Sequence, residues 1–306
     1  MIEPQASFDG TWPYAAKFCE QAGFRQHYID EGAGRPVVLL HGQPTWGYIW
    51  RRFIHPLGAN NRVIVPDHMG FGKSETPAEA DYTLSTHVAN LAALIESLDL
   101  HEITLVMQDW GGPIGIGYAV RHPERIHSLV LMNTVCGYGA AGRRDLPNPL
   151  DTPWFTWVRE GLPSGRTEAV LSQLGSTILS VMQIVGLERL DRVDDTFIRA
   201  YAAPFSTPGE CRGAVAFPLD LALGRIREFV KAGACGVPAL RTKPAILIEG
   251  MLDRAIPPAL AIADFQELWP TAPVIRVPEA GHYIQEDAPE IAIPLVQAFL
   301  AMREQR

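Results

Sequence analysis

Basic residues and cysteines are both scarce in this chain, and each shortage excludes a class of function. The 306 residues include 26 Lys and Arg against 34 Asp and Glu, which gives a formal net charge of −8. A nucleic-acid-binding domain usually carries a basic surface, so this balance argues against nucleic acid as a partner. The four cysteines, Cys19, Cys136, Cys211 and Cys235, form no Cys-x-x-Cys pair. We therefore expect free thiols in a reducing compartment.

Long apolar runs and a targeting signal are also missing from the sequence. No uninterrupted apolar run approaches the ~18 residues that a membrane-spanning helix needs. The N-terminal residues have neither a basic start nor an apolar stretch, so we expect a cytoplasmic protein. The chain has no internal repeat or low-complexity tract. Its composition, 47% hydrophobic and 20% charged, fits a globular protein with one domain plus an insertion, or two domains.

Short apolar runs alternate with longer helical stretches along most of the chain. The runs lie at residues 37–40, 63–65, 103–107, 129–132, 245–248 and 274–277. Continuous apolar runs with helical spacers are typical of a mostly parallel sheet that helices cover on both faces. Residues 83–98 carry a helical pattern with Thr83 or Ser85 as its N-cap. The sequence therefore predicts an α/β fold.

The stretch between Asn133 and Ala245 is too long for one crossover connection and contains several helical patterns. We interpret residues 135–213 as a helical cap domain, inserted into a core domain formed by 1–134 and 214–306. Ligands of open parallel sheets bind beyond the carboxyl ends of the strands. A cap over that edge would close a dry cavity.

Asp109 follows one of the apolar runs, in the segment Gln-Asp-Trp-Gly-Gly at 108–112. Serine hydrolases of the α/β-hydrolase type carry Ser on a tight strand-to-helix elbow at this point. An Asp is already anionic at pH 7, and it can displace a leaving group from a tetrahedral carbon and form an ester. We therefore interpret Asp109 as a nucleophile rather than as a loop residue or a helix N-cap. Met107 departs from the elbow pattern, which prefers a small residue there.

An aspartyl ester must be hydrolysed, and the C-terminal part of the chain offers a base and an acid. His282 follows a predicted strand and a glycine, in the chain order nucleophile, acid, histidine. We expect it to take a proton from the attacking water, although a buried structural histidine is the alternative. Asp253 is the better candidate to orient His282, and Glu249 is the less favoured substitute. Asn133, at the end of another strand, cannot supply a charge.

Gln43 and Trp110 offer the donors that such a reaction needs. Their backbone N–H groups are expected to form the oxyanion hole. Their side chains are neutral donors, which suits a departing halide ion. An epoxide oxygen would instead need acidic hydroxyls, for which Tyr138 and Tyr201 are the candidates.

With these residues the chain resembles a haloalkane dehalogenase. The resembling segments are His41-Gly42-Gln43-Pro44-Thr45-Trp46, residues 108–112, Met132-Asn133, residues 201–205, residues 250–253 and residues 280–287. The resemblance implies a halogenated aliphatic substrate, water as cosubstrate, alcohol and halide as products, and no cofactor or metal. In this family the second halide donor is an Asn at the position of Gln43 or a Trp from the cap.

The chain has Gln at the first of those positions and offers Trp154 and Trp157 for the second. We predict that Trp110 binds the halide together with either Gln43 or Trp157. An epoxide hydrolase, or a protein that binds a ligand without turnover, are the competing hypotheses. A monomer or a small homo-oligomer is expected.

Overall fold

A single mixed sheet forms the centre of the computed structural model, which describes residues 2–139, 145–146 and 148–304. In this part of the chain the sheet has eight strands in the order β1-β2-β4-β3-β5-β6-β7-β8. The strands are β1 (Lys17–Cys19), β2 (Gln26–Gly32), β3 (Arg35–Leu40), β4 (Asn61–Pro66), β5 (Ile103–Gln108), β6 (Ile126–Met132), β7 (Ala245–Gly250) and β8 (Val274–Val277). β1 and β2 are antiparallel to their neighbours, and the pairs from β4 to β8 are parallel.

The six apolar runs of the sequence correspond to β3 through β8, so the predicted parallel sheet is confirmed. β5 is buried at every position because it has a strand on each side and helices on both faces. The two N-terminal strands were not predicted from the sequence. β2 carries polar residues that are buried through specific bonds, as His27 Nδ1 lies 2.7 Å from Asp67 Oδ2.

Helices flank the sheet and fill the interval between β6 and β7. They are α1 (Arg51–Gly58), α2 (Leu84–Ser97), α3 (Gly111–Ala119), α4 (Pro153–Gly161), α5 (Arg166–Leu171), α6 (Leu174–Val185), α7 (Asp195–Ala202), α8 (Arg212–Ala222), α9 (Ile226–Gly233), α10 (Val237–Leu240), α11 (Pro258–Leu268), α12 (Ile284–Asp287) and α13 (Pro289–Glu304). Thr83 is the N-cap of α2, as predicted, because its hydroxyl accepts a hydrogen bond from Thr86 N. Across the described ranges, no helix has the length and apolar character needed to cross a membrane.

Of the helices between β6 and β7, α4 to α7 fall within residues 135–213, which the sequence predicted as a cap. α4 and α5 both pack against α8, whereas α9 packs against α2 of the sheet layer. The predicted boundary at residue 213 falls inside the first turn of α8. The division into a core and a cap domain stays a prediction.

The carboxyl ends of the parallel strands carry the residues that the sequence singled out. Asp109 follows β5, Asn133 follows β6, and Asp253 comes three residues after β7. His282 follows β8, and Gln43 follows β3. Because these strands are neighbours and point the same way, their ends meet at one edge of the sheet.

Candidate active site

Asp109 lies at the turn between β5 and α3, in a backbone conformation that side chains rarely adopt. Its φ is 49°, which is in the left-handed region. The turn is fixed by a bond from Asp109 N to Asn133 O of 3.2 Å. Glycines make room around it, since a Cβ on Gly42 would collide with the Asp109 side chain, and one on Gly111 would collide with Leu40 O. This is the strained elbow that the sequence predicted, and it projects the carboxylate beyond the sheet.

Met107, which departs from the elbow pattern, is accommodated by a glycine on the facing helix. Gly115 lies in α3, and a Cβ there would collide with the Met107 sulfur. Met107 therefore fills the space that a small residue at position 107 would leave empty. Gly115 makes room for it because glycine has no side chain. This pairing of a large residue in β5 with a glycine in α3 keeps the strand and the helix close together.

The two carboxylate oxygens of Asp109 face different partners. Oδ1 accepts a hydrogen bond of 2.7 Å from Gln43 N. Oδ2 lies 3.4 Å from His282 Nε2, an ion-pair distance that is longer than a good hydrogen bond. The Asp109 side chain is 14% exposed, while that of His282 is fully buried. The nucleophile candidate therefore lies between a backbone donor and an imidazole, with one open side.

His282 is held by Asp253, and Asp253 is held by the backbone. The distance from His282 Nδ1 to Asp253 Oδ2 is 2.8 Å. The other oxygen, Oδ1, accepts bonds from Ala255 N at 2.8 Å and Ile256 N at 2.9 Å. The structure thus brings Asp109, His282 and Asp253 together in one chain of contacts.

Asn133 completes the environment of Asp253, a role that the sequence did not reveal. Its Nδ2 donates to Asp253 Oδ2 at 3.0 Å and to Gly250 O at 3.1 Å, and its Oδ1 accepts from Gly250 N at 3.0 Å. The residue is buried, with a φ of 43° that Asn tolerates better than most residues. The sequence offers as a signal only an amide side chain at a strand end, and no local pattern indicates which residue it contacts. Asn133 is a positioning residue for Asp253.

Gln108 fixes the opposite side of the histidine loop. Its side-chain amide donates a bond of 3.1 Å to His282 O. His282 N in turn donates to Gly186 O at 2.8 Å, which ties the loop to the end of α6. The imidazole is therefore oriented from its own backbone as well as from Asp253.

The pKa of His282 is raised to about 10. Burial opposes the charged form of the imidazole, but the charge of Asp253 and the contacts with Asp109 outweigh that penalty. Glu249, the alternative acid, is fully buried, and burial together with the charge of Asp253 raises its pKa well above the ordinary value. Burial therefore disfavours the charged form of Glu249, which makes it a poorer source of negative charge for His282 than Asp253.

Trp110 and Gln43 both line the cavity in front of Asp109. The indole of Trp110 stacks on the ring of Phe217 from α8, with centroids 4.6 Å apart and an interplanar angle of 9°. The side-chain amide of Gln43 donates to Ala214 O at 3.2 Å, also in α8. One of the two amide hydrogens of Gln43 is thus committed to the helix.

The two tryptophans of α4 differ in their relation to the cavity. Trp154 is buried and belongs to the cavity lining. Trp157 is half-buried and stacks on Trp154, with ring centroids 5.5 Å apart, but it is not part of the lining. Of the two, Trp154 has access to a ligand in front of Asp109.

The tyrosines that an epoxide reaction would need lie elsewhere. The hydroxyl of Tyr201 donates to Glu286 Oε1 at 2.5 Å, a carboxylate that also binds the Arg51 guanidinium. The hydroxyl of Tyr138 lies against Gly233 of α9. Neither tyrosine belongs to the cavity lining.

The cavity in front of Asp109 has a volume of about 1240 Å³. Its wall combines the elbow residues with apolar side chains of α4, α8, α9 and α11, such as Phe155, Leu221, Val230 and Leu260. Ligand pockets in proteins commonly measure about 300–1,000 Å³. This cavity is therefore large enough for a long alkyl chain. Within the described residues, no cluster of three or more His, Cys, Asp or Glu has the arrangement of a metal site.

The fold agrees with what known proteins show. Residues 35–289 match the family described as alpha/beta hydrolase fold. The chain belongs to that family. It is 34% identical to a haloalkane dehalogenase of Mycolicibacterium paratuberculosis over 310 residues, covering 94% of both chains. The resemblance to haloalkane dehalogenases that the sequence indicated is therefore confirmed.

Two further relatives bear on the chemistry. The cis-3-alkyl-4-alkyloxetan-2-one decarboxylase of Shewanella oneidensis is 34% identical over 303 residues, which covers 97% of this chain and 91% of that protein. The crystal structure of the haloalkane dehalogenase DatA from Agrobacterium tumefaciens C58 has a TM-score of 0.78 and 26% identity, covering 94% of this chain and 96% of that one. The chain is thus similar to enzymes with two different reactions.

Proposed function

We propose that this protein hydrolyses the carbon–halogen bond of halogenated aliphatic compounds through an ester formed on Asp109. The observation that carries the proposal is the position of the Asp109 carboxylate. It opens onto an apolar cavity while Gln43 N and His282 lie on its two oxygens and Trp110 lines the same cavity. A carboxylate in that setting is suited to attack saturated carbon and then to undergo hydrolysis.

In the first step, a carboxylate oxygen of Asp109 attacks the carbon that bears the halogen. The carbon–oxygen bond forms as the carbon–halogen bond breaks, and the halide leaves with the bonding electron pair. The indole N–H of Trp110 is the first donor to the halide. The second is the remaining amide hydrogen of Gln43, or a donor from α4 at Trp157. The access of Trp154 to the cavity makes it the better candidate from that helix.

In the second step, water attacks the ester carbonyl, and His282 takes its proton. The negative charge that develops on the carbonyl oxygen is stabilised by Gln43 N, which is 2.7 Å from Oδ1 in the resting carboxylate, with Trp110 N as the proposed partner. Collapse releases the alcohol and restores Asp109. The balance is one water consumed, and one alcohol, one halide ion and one proton released.

Halide release tests this proposal directly. The protein is incubated with a panel of brominated and chlorinated alkanes, and the free halide is measured over time. We expect release that depends on Asp109 and is absent from the Asp109→Ala variant. Release that is equal in the two proteins across the panel would refute the proposal.

A second variant tests the ester itself. His282→Ala removes the base, so the first step should proceed and the second should stop. Mass spectrometry of the intact variant with a bromoalkane should show the mass of one alkyl group, and peptide mapping should locate it on Asp109. Rapid halide release without any adduct would contradict the two-step scheme.

Decarboxylation of a β-lactone is the second candidate. It is favoured by the 34% identity to the decarboxylase over 97% of the chain and by the cavity volume of about 1240 Å³. Asp109 would attack the ring carbon that carries the lactone oxygen, and the opened ring would bear a carboxylate on the next carbon. Loss of carbon dioxide then forms the alkene as the bond to Asp109 breaks. This route consumes no water, so it does not need His282 as a base.

The two candidates are separated by their products. A cis-3,4-dialkyl oxetan-2-one gives an alkene and carbon dioxide in one case, and a bromoalkane gives alcohol and bromide in the other. Gas chromatography detects the alkene, and ion chromatography detects the bromide. An epoxide hydrolase would instead form a diol, and the positions of Tyr138 and Tyr201 do not favour it. Ligand binding with no turnover of any of these compounds would indicate a non-catalytic protein.

Haloalkane, water and halide are therefore the proposed small-molecule partners, with no cofactor. A monomer or a small homo-oligomer and a cytoplasmic location stay predictions from the sequence. Gel filtration with light scattering measures the oligomeric state.

A further inference from the structure

Two cationic side chains belong to the lining of the mostly apolar cavity. Arg227 and Lys231 both belong to the lining and lie one turn apart on α9. They share that face of the helix with the cavity residues Ile226 and Val230. Phe229 points away, and its ring lies under the Arg121 guanidinium at 3.8 Å. The face of α9 that lines the cavity therefore carries two apolar and two basic side chains.

The acidic residues of the lining do not neutralise these cations. Asp151 lies 3.4 Å from Arg159 Nη2, and Asp109 faces His282. Asp264 accepts backbone bonds from the loop after β6, at Gly137 N and Gly139 N among others, and burial raises its pKa. Among the described residues, the side chains of Arg227 and Lys231 form no hydrogen bond or ion pair. Of the described lining residues, these two on α9 are therefore cations without an acidic partner, in a chain of net charge −8.

Both side chains are exposed, so solvent reaches this part of the cavity wall. Asp109 belongs to the same lining and lies next to the buried His282. Apolar side chains form most of the rest of the wall. A ligand that contacts Asp109, the apolar wall and the two cations would thus have a reactive carbon, an apolar chain and an anionic end.

We propose that Arg227 and Lys231 bind a carboxylate at the far end of the substrate, so that the preferred substrates are halogenated alkanoates rather than neutral haloalkanes. This inference rests on the proposed function for the reacting end and adds the recognition of the other end. An arginine and a lysine together give a planar pair of donors and a point charge, which suits a carboxylate. The chain length that spans the cavity then sets the distance between carboxylate and leaving group.

Binding tests the proposal without any turnover. Decanoate and decanol have the same chain and no leaving group, and isothermal titration calorimetry gives both dissociation constants. We expect decanoate to bind the wild-type protein about tenfold more tightly than decanol, as two exposed ion pairs would allow. In Arg227→Gln/Lys231→Gln the two ligands should bind equally.

A matched control removes the same charge elsewhere. Arg166→Gln/Arg276→Gln changes two exposed arginines that do not line the cavity. This variant should keep the tenfold preference for decanoate. If both double variants lose it equally, net charge rather than the α9 pair is responsible, and the proposal is wrong.

Turnover provides the second readout. The substrates are ω-bromoalkanoates of increasing length, each compared with its neutral methyl ester. We expect kcat/KM for bromide release to favour the acid by about tenfold at one preferred length. Added sodium sulfate should reduce this preference, because the Debye length falls to about 10 Å at 0.1 M ionic strength. The preference should vanish in Arg227→Gln/Lys231→Gln, so that each acid and its methyl ester give the same kcat/KM.

The outcomes separate this inference from the proposed function. Equal binding of decanoate and decanol overturns the inference whatever the enzyme does. Bromide release from the esters with no preference for the acids overturns it while the dehalogenase proposal stands. No bromide from either series refutes the dehalogenase proposal, and the decanoate titration still decides whether the α9 pair binds a carboxylate.

Discussion

Replacement of Asn133 by alanine is the sharpest test of how the Asp253–His282 dyad is held. The side chain makes three buried hydrogen bonds, one to the charged Asp253 and two to the backbone of Gly250. A neutral bond contributes about 1 kcal/mol and one to a charged group about 2 kcal/mol, so the three together contribute about 4 kcal/mol. The φ of 43° adds about 1 kcal/mol for alanine in the left-handed region. We expect the free energy of unfolding to fall by about 4–6 kcal/mol.

The effect on activity should be uneven between the two steps. Asp253 keeps its bonds from Ala255 N and Ile256 N in the Asn133→Ala variant, so it stays near His282. Asp253 nevertheless gains some freedom to move, which weakens the orientation of the imidazole. We therefore expect ester hydrolysis to slow by about 10- to 100-fold, the range found when the supporting partners of metal ligands are removed. The attack of Asp109 on the substrate does not use the dyad and should slow much less. The ester should therefore accumulate at steady state.

Three measurements check this reasoning. Urea unfolding gives the stability loss, rapid-quench kinetics give the two steps separately, and mass spectrometry gives the ester population. Asn90→Ala is the control, because Asn90 is also a buried asparagine but its amide only approaches the Met69 sulfur at 4.0 Å. It should cost about 1 kcal/mol at most and leave both steps unchanged. A folded Asn133→Ala variant with both steps slowed equally, or with neither slowed, would refute the assigned role.

Other expectations follow from single contacts. The stability gained from the raised His282 pKa is fully present below its ordinary value of 6.5 and is lost as the pH rises towards about 10, so urea midpoints should fall over that window, and less so in Asp109→Asn. Trp110→Phe keeps the aromatic stack but removes the indole N–H, and halide release should slow by about 10²-fold in stopped-flow measurements. Gly115→Ala should destabilise the protein by about 1–3 kcal/mol in thermal unfolding because its Cβ meets the Met107 sulfur, and the loss in Gly115→Ala/Met107→Ala should be smaller than the sum of the two single losses.

The central sheet could be predicted from the sequence because its strands are buried on both faces. Residues 103–107 and 129–132 are continuous apolar runs, and that pattern needs no knowledge of the neighbours. β2 could not be predicted in this way. Its burial depends on His27, whose partner Asp67 is 40 residues away, so the local pattern looks polar.

The residues of the candidate site could be predicted because each follows a strand end, and the topology brings strand ends together. The directions of the supporting side chains could not. The Gln43 amide turns towards Ala214 O, 171 residues away, and Trp157 turns behind Trp154. Both directions depend on how α8 and α4 pack over the sheet, which no local pattern encodes. The role of Asn133 was missed for the same reason, since its partner Asp253 is 120 residues further along the chain.

The charges around His282 give the proposed two-step reaction an order. In the resting protein the imidazole lies between two carboxylates, and its pKa of about 10 means that it is protonated at pH 7. A protonated imidazole cannot accept a proton from water. Formation of the ester removes the charge of Asp109. Because that charge is one of the contributions that raise the pKa of His282, the pKa of His282 must then fall. His282 thus becomes able to act as a base when there is an ester to hydrolyse, and the first step prepares the second.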